Sequence, residues 1–376
     1  MRILLLNPFH SGSHAAVAEG YTARSGHQIS ALTLSAAGGW RWRMRGAAVT
    51  LARRLAEHYG LGRAPFDLIL ATDMLDLATF LGLARAQTAG IPTAIYFHEN
   101  QLTYPLPPGR QRDLAFPWIN YTSLLAADRV FFNSAFHRDA LLGALPGLAG
   151  RFHDHQELDL IGRIAERSVV LPPGIDLARL DRHRPAADDR PPGPPVILWN
   201  SRWEYDKQPQ VFFAALERLE ERGVPFRLIV AGEHIDPRAP EFAAARERFG
   251  DRALAWGYAP DAAAYARLLW HADLVVSTAA QEFFGIALLE GLYCGCVPVV
   301  PRRLSYPELL PPACHADCFY DHDADLGDHL AAAIARLPAL RAHDLRAVAA
   351  AYDWSRMAPR YDASFDPRGW GLPAGG

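Results

Sequence analysis

Two glutamates eight residues apart, Glu282 and Glu290 in the segment EFFGIALLEGLYCGCVPVVP, flank a turn that opens a helix. The apolar run DLVVSTAAQ from Asp273 predicts a strand ahead of Glu282, Phe283, Phe284 and Gly285 a tight loop, and Ile286 to Tyr293 a helix. This order of elements suits a sugar nucleotide. The first amides of a helix lack intrahelical partners and the helix dipole favours an anion there, so the turn can hold a diphosphate. Glu282 then faces the sugar, and Glu290, over a turn into the helix, accepts hydrogen bonds from ribose hydroxyls. The plain alternative is a solvated surface helix with two ordinary glutamates. The flanks weigh against it: CVPVV returns as another buried strand, placing both carboxylates at the carboxyl end of a parallel sheet, where open α/β proteins bind ligands.

The basic side chains carry a second signal. Of 38 Lys and Arg residues, Lys207 is the one lysine, and it lies five residues after Arg202 in NSRWEYDK. An ammonium is a compact point charge that fits between phosphate oxygens, whereas the planar fork of Arg202 grips them bidentately. Both suit a leaving diphosphate. A surface lysine after a turn is the alternative.

Other polar residues stand where apolar runs end. His98, Glu99, Asn100 and Gln101 follow TAIYF, and four hydrogen-bonding side chains in a row there suit a carbohydrate; a turn with a structurally bonded histidine is the other reading. Asn7 to His14 follow the first strand, with Gly12 allowing close backbone approach and Ser13 able to cap a helix starting nearby. The glycines are too sparse for a dinucleotide fingerprint, and a structural turn is as good a reading as a ligand loop. Gly232 and Glu233 after FRLIVA, and Trp256, Gly257 and Tyr258 after the following strand, are further strand-end residues, with a packing role open for Trp256. In WRWRMR, Trp40, Arg41, Trp42, Arg43 and Arg45 precede the amphipathic stretch AAVTLARRLAEHY. Arginine planes and indole faces stack on splayed bases and hold phosphates, but the same composition fits anionic lipid or an arginine-dressed element over the core.

These residues need a scaffold of parallel strands. At 376 residues the chain has room for two domains. Short apolar runs alternate with amphipathic stretches: ILLLN, His27 to Leu34, FDLILAT, TAIYFH, RVFFN and SVVLPP, then after a Pro- and charge-rich linker VILWN, FRLIVAG, ALAWGY, DLVVST and VPVVP. That rhythm predicts α/β architecture with doubly wound sheets. The expected division is a first domain over 1–185, a linker over 181–195, a second domain over 196–352 and a frayed tail over 366–376. A net charge of −3 and a pI of about 6.6 exclude a nucleic-acid coat protein, so any RNA must be held by a local patch. No apolar run reaches the roughly 18 residues of a membrane span, and Met1-Arg2 leads straight into a strand, so stable membrane insertion is not expected and a cytoplasmic location is. Cys294, Cys296, Cys314 and Cys318 miss the usual zinc spacings and read as small core residues, so no metal is expected.

Six blocks in order, NPFHSGSH, WRWR, YFHENQLTYP, FFNSAFH, LWNSRWEYDKQP and EFFGIALLEGLYCGC, resemble the tRNA-queuosine α-mannosyltransferase family, within the retaining GT-B glycosyltransferases. The resemblance runs from about the first strand to the last helix. It implies two Rossmann-like domains facing a central cleft, the last helix, 355–365, crossing back to complete the first. It further implies that His98 lies against the transferred sugar, that Arg202 and Lys207 bind the donor diphosphate, and that the loop at Tyr258 holds the nucleotide base. The implied reaction is transfer of mannose from GDP-mannose to queuosine in tRNA, by a front-face path in which the leaving phosphate helps deprotonate the acceptor. No cofactor beyond the sugar nucleotide is expected. A glycosyltransferase acting on a lipid or polysaccharide is the rival reading, and a non-catalytic GT-B protein binding a nucleotide sugar or RNA is a rival of another class. Glu282, Glu290, Arg202 and Lys207 together argue against the latter, since binding alone does not require all four. Oligomeric state is not written in the sequence.

Overall fold

The computed structural model describes residues 1–60, 62–107, 109–186, 192–233 and 240–372. The chain forms two units, one of Met1–Ile175 with Trp354–Gly376, the other of Asp176–Asp353. The crossover comes after Ile175, ahead of the Pro-rich stretch that suggested a boundary near 185. Ala178–Asp181 are already helical in the second unit, and residues 187–191 of the expected linker lie outside the described residues.

In the first unit, strands β1 (Arg2–His10), β2 (Gln28–Ser35), β3 (Leu68–Thr72), β4 (Thr93–Phe97), β5 (Arg129–Phe132) and β6 (Ser168–Val170) make one sheet in the order β2-β1-β3-β4-β5-β6, with every pair parallel. Its inner strands β1, β3, β4 and β5 are largely apolar and buried because both faces of the sheet are covered there, whereas the edge strand β2 is mostly part-exposed. Leu4, Leu6, Ile69, Ile95 and Phe132 point into one core, while Ile3, Leu5, Leu68, Leu70, Tyr96 and Phe131 point into another, the alternation a pleated strand imposes. The helix Trp354–Ser364 closes the second of these cores. Trp354, Tyr361 and Phe365 pack there with Tyr21 and Phe131, and Asp362 accepts from Tyr21 Oη at 2.9 Å, Ser25 Oγ at 2.6 Å and the Gly26 amide at 2.8 Å. Gly20 and Gly174 are required here, since a Cβ at either would run into the Trp354 indole. Of the tail expected to fray, Pro367–Gly369 form a 3-10 turn and Trp370 lies 6.3 Å from the Phe131 ring; 373–376 lie outside the described residues.

The second unit contains β7 (Val196–Asn200), β8 (Arg227–Ala231), β9 (Ala253–Gly257), β10 (Leu274–Val276), β11 (Val297–Pro301) and β12 (Phe319–Tyr320), in the order β12-β11-β10-β7-β8-β9 and again all parallel. This is the doubly wound Rossmann order, whose direction of winding reverses between β7 and β10, the place where such sheets bind ligands. In the first unit the corresponding reversal falls between β1 and β3. The segments Asn200–Lys207 and Ser277–Glu282 therefore emerge side by side, as do Asn7–His14 and Asp73.

Candidate functional site

The loops after β7 and β10 are stitched together. Thr278 Oγ1 donates to the Lys207 carbonyl at 2.6 Å, the Ala280 amide donates to the Asp206 carbonyl at 2.8 Å, and Lys207 Nζ donates to the Gln281 carbonyl at 2.6 Å. Lys207 is buried, and its ammonium also lies 3.4 Å from Asp206 Oδ2 and 3.4 Å from Glu282 Oε2. Arg202, half exposed, is paired with Glu204 at 3.0 Å. Burial pushes the Glu204 carboxyl up, with Arg202 and Lys207 both acting against that shift. Both cations are thus held by carboxylates.

Glu282 accepts weakly from the Phe284 amide at 3.4 Å, and Ser305 Oγ ties the turn through the Phe284 carbonyl at 2.7 Å. Gly285, at φ 112°, precedes the helix Ile286–Tyr293, whose start carries no side-chain cap. Phe283 and Phe284 were expected to line the donor site, but their side chains are buried, Phe284 against Tyr352 at 5.4 Å, so what this turn offers a ligand is backbone. Glu290 is buried and already engaged: Arg179 binds one carboxylate oxygen and Tyr265 Oη donates to the other at 2.8 Å, itself accepting from Asn200 Nδ2 at 3.1 Å. Burial and then the Glu290 charge push the Tyr265 phenol well above its ordinary range, so it stays a donor. Gly232 packs so tightly that a Cβ would meet the Ser201 carbonyl, and the Glu233 carbonyl accepts from the Trp203 amide at 3.1 Å, so these two residues brace the β7 loop. Trp256 stacks on Phe213 at 6.0 Å, which settles its packing role, while Tyr258 is 70% exposed.

In the first unit, His98 is buried at the end of β4. Its amide donates to Asp73 Oδ1 at 2.9 Å, its carbonyl accepts from Asn133 Nδ2 at 2.8 Å, and its ring lies 4.3 Å from that of His14 and 4.8 Å from that of Tyr96. Burial, with His14 and His137 nearby, holds the His98 imidazole well below its usual value; burial also pushes His14 to about 3 and His137 to about 3. All three are neutral at pH 7. Asp73 is driven well above the carboxylate range by burial and by Glu99. His14 Nδ1 lies 4.0 Å from Asp73 Oδ1 without a hydrogen-bond partner among the described residues, and donor atoms of His14, Asp73 and His98 fall within 4.8 Å of one another, close enough to be drawn around a cation.

Asn100 is spent on the turn: its Oδ1 accepts from the amides of Leu102 at 3.0 Å and Thr103 at 2.8 Å. Gln101 donates to Glu99 Oε1 at 2.9 Å, so these two side chains are joined to each other. Gly12 takes φ 51° with open space around it, and the helix Gly12–Thr22 begins there with Ser11, not Ser13, at the cap position and without a side-chain cap bond. Trp40, Arg41, Trp42, Arg43 and Arg45 form the first turns of the helix Trp40–Tyr59, not an alternating segment ahead of it. Arg43 Nε donates to the Ser35 carbonyl at 2.8 Å, Arg45 pairs with Asp113 at 2.7 Å, Arg41 lies 4.5 Å over Trp40, and Trp42 is 67% exposed. The four cysteines are free and buried, as small core residues should be.

A family model described as tRNA-queuosine alpha-mannosyltransferase N-terminal matches residues 2–175, and one described as glycosyl transferases group 1 matches residues 183–354. The chain is 32% identical over 314 residues to the Drosophila melanogaster tRNA-queuosine alpha-mannosyltransferase, covering 82% of this chain and 81% of the relative. The chain belongs to the tRNA-queuosine alpha-mannosyltransferase family. It is a glycosyltransferase. A Mycobacterium tuberculosis GDP-mannose-dependent alpha-(1-6)-phosphatidylinositol dimannoside mannosyltransferase is 27% identical over 73% of this chain and 64% of its own length. Among solved structures, an Anabaena protein, HepE, in complex with UDP and glucose superposes with a TM-score of 0.68 at 16% identity over 98% of this chain and 100% of that one. Sucrose-phosphate synthase from Thermosynechococcus elongatus gives 0.69 at 16% identity over 99% and 100%. At this identity the likeness concerns the fold, which is GT-B. Among the described residues no helix is long and apolar enough to cross a membrane.

Sequence reasoning overlooked Arg179, Tyr265 and Asn200 around Glu290, and Asp73 beside His98. Asn200 and Asp73 carried a usable signal, since each is a polar residue ending or following an apolar strand. Arg179 and Tyr265 lie in helices with nothing local to mark them.

Proposed function

We propose that this glycosyltransferase moves mannose from GDP-mannose to queuosine in a tRNA, with retention of anomeric configuration. The observation that carries the reading is the match of residues 2–175, nearly all of the first unit ahead of its C-terminal helix, to the N-terminal domain of that family, together with 32% identity to the Drosophila relative. In GT-B enzymes the first domain selects the acceptor, so this is the half of the chain from which an acceptor is best argued. The mycobacterial relative, GDP-mannose-dependent by its name, supports the same donor but acts on a lipid; its lower identity and coverage place it second. A tRNA acceptor puts the reaction in the cytoplasm.

In this reading the amides at Gly285–Ile286, Arg202 and Lys207 stabilise the departing diphosphate by preorganised electrostatics, with no metal required. Glu282, fixed by Lys207, faces the sugar. Glu290, oriented by Arg179 and Tyr265, takes the ribose hydroxyls, and Tyr258 is the exposed ring available to the base. Neutral His98 serves the sugar as a hydrogen-bonding group, not as a charge. The test is incubation with bulk queuosine-containing tRNA and a panel of sugar nucleotides, followed by nucleoside mass spectrometry. A hexose added to queuosine with GDP-mannose, and with no other donor, is expected; an unchanged nucleoside with every donor contradicts the reading.

A further inference from the structure

The first unit contains a cleft of about 390 Å³ between the loop before the helix Ala115–Ala126 and the last turns of the helix Ala135–Ala149. Its floor is apolar, from Leu102, Leu114 and Leu148, and its rim carries Gln111, Arg112 and Arg151. The volume lies in the range of small-molecule and nucleotide sites. Arg112 donates to the carbonyls of Gln101 and Tyr104, so it pins one wall to the block that holds His98. Arg151 and Gln111 are exposed, and their side chains have no partner among the described residues. Beside Arg151 in the chain, Phe152 is 48% exposed and meets Trp118, 37% exposed, edge-on at 5.2 Å.

An unpartnered guanidinium and an unpartnered amide on the rim of an apolar floor, with an exposed aromatic pair next to Arg151 in the chain, are what an unpaired nucleotide uses: phosphate to the cation, base to the floor or to a ring face. The WRWRMR helix is less suited, since Arg43 and Arg45 are already committed to Ser35 and Asp113. We propose that this cleft is the RNA subsite, holding a nucleotide of the acceptor strand with its phosphodiester on Arg151. This rests on the tRNA reading above for the identity of the RNA.

The test compares wild type with Arg151→Gln, Gln111→Ala and Arg151→Lys, using queuosine-containing tRNA in filter binding across a salt series and in steady-state transfer. Arg151→Gln is expected to weaken tRNA binding and raise the tRNA KM about five- to tenfold. It should lower the log–log salt slope by about one and leave the GDP-mannose KM unchanged. Gln111→Ala should act in the same direction more weakly, and Arg151→Lys should recover most of the loss. A folded Arg151→Gln protein with wild-type tRNA affinity and salt slope overturns the subsite, as does wild-type protein that binds no tRNA. Wild-type protein that binds tRNA through Arg151 but transfers no sugar overturns the transferase reading alone. Binding of phosphatidylglycerol vesicles that Arg151→Gln abolishes, with tRNA binding untouched, assigns the cleft to a lipid headgroup and overturns the proposal.

Discussion

Lys207 and Glu282, 75 residues apart in the chain, meet at 3.4 Å between Nζ and Oε2. Each stood out in the sequence for its own reason, one as the sole lysine and the other as the first carboxylate of a spaced pair. The Rossmann strand order brings their loops together at the point where the winding reverses, and the Gln281 carbonyl and Asp206 fix the ammonium there. The pair accordingly acts as a unit, and removing either member disturbs the other.

Lys207→Ala should lower kcat by about 100-fold, the scale for losing a preorganised group opposite developing charge. It should also cost about 3 kcal/mol of stability, because the buried Asp206 carboxylate loses the ammonium 3.4 Å from it. Steady-state kinetics and thermal melts measure both. A folded variant with wild-type kcat would remove Lys207 from the chemistry.

Glu290→Ala should raise the KM for the sugar nucleotide about tenfold with little change in kcat, because a ribose contact is made equally in ground and transition states. Tyr265→Phe removes the 2.8 Å hydrogen bond that orients the carboxylate and should give a smaller rise of the same kind. Collapse of kcat at unchanged KM in either variant would exclude the ribose role.

The buried histidines fix the direction of pH dependence. His14, His98 and His137 have folded values depressed below the unfolded value near 6.5, so the unfolded state binds more protons below that pH. Stability should therefore fall as pH drops from about 6.5 towards 4, by up to about 1.4 kcal/mol per pH unit for each histidine. Asp73, raised by burial, binds a proton more readily folded than unfolded and acts with the opposite sign, offsetting one of the three. Urea midpoints at pH 7, 6 and 5 check this, and an unchanged or rising midpoint on acidification would contradict the burial of these groups.

Activity should survive exhaustive treatment with EDTA if, as proposed, Arg202, Lys207 and helix amides meet the diphosphate. The outcome that would overturn this is loss of activity restored by a divalent ion, and the residues then to examine are His14, Asp73 and His98.

The strands were the most legible part of the fold, because parallel strands covered on both faces read as unbroken apolar runs; the two-residue β12 was too short to register. The helix Ile286–Tyr293 was equally plain from its Gly285 turn. WRWRMR stayed open between strand and helix because the alternation of bulky and charged residues fits either locally, while burial of Met44, Ala47, Ala48 and Leu51 at helical spacing decides the matter from downstream. Roles within HENQ were hidden for another reason. Composition marks polar residues at a strand end, but not that Asn100 turns back onto its own loop while His98 remains beside His14 and Asp73. Clusters such as that one, drawn from two strand ends and the first turn of the helix after β1, exist only once the sheet order is known.

The central claim is most directly tested by following radiolabel from GDP-mannose, with the mannose labelled, into two tRNA preparations that differ only in whether queuosine is present. Label is expected in the queuosine-containing tRNA, recovered after digestion as a mannosylated queuosine nucleoside, and none in the queuosine-free tRNA. Equal labelling of both, or label in neither, would contradict it.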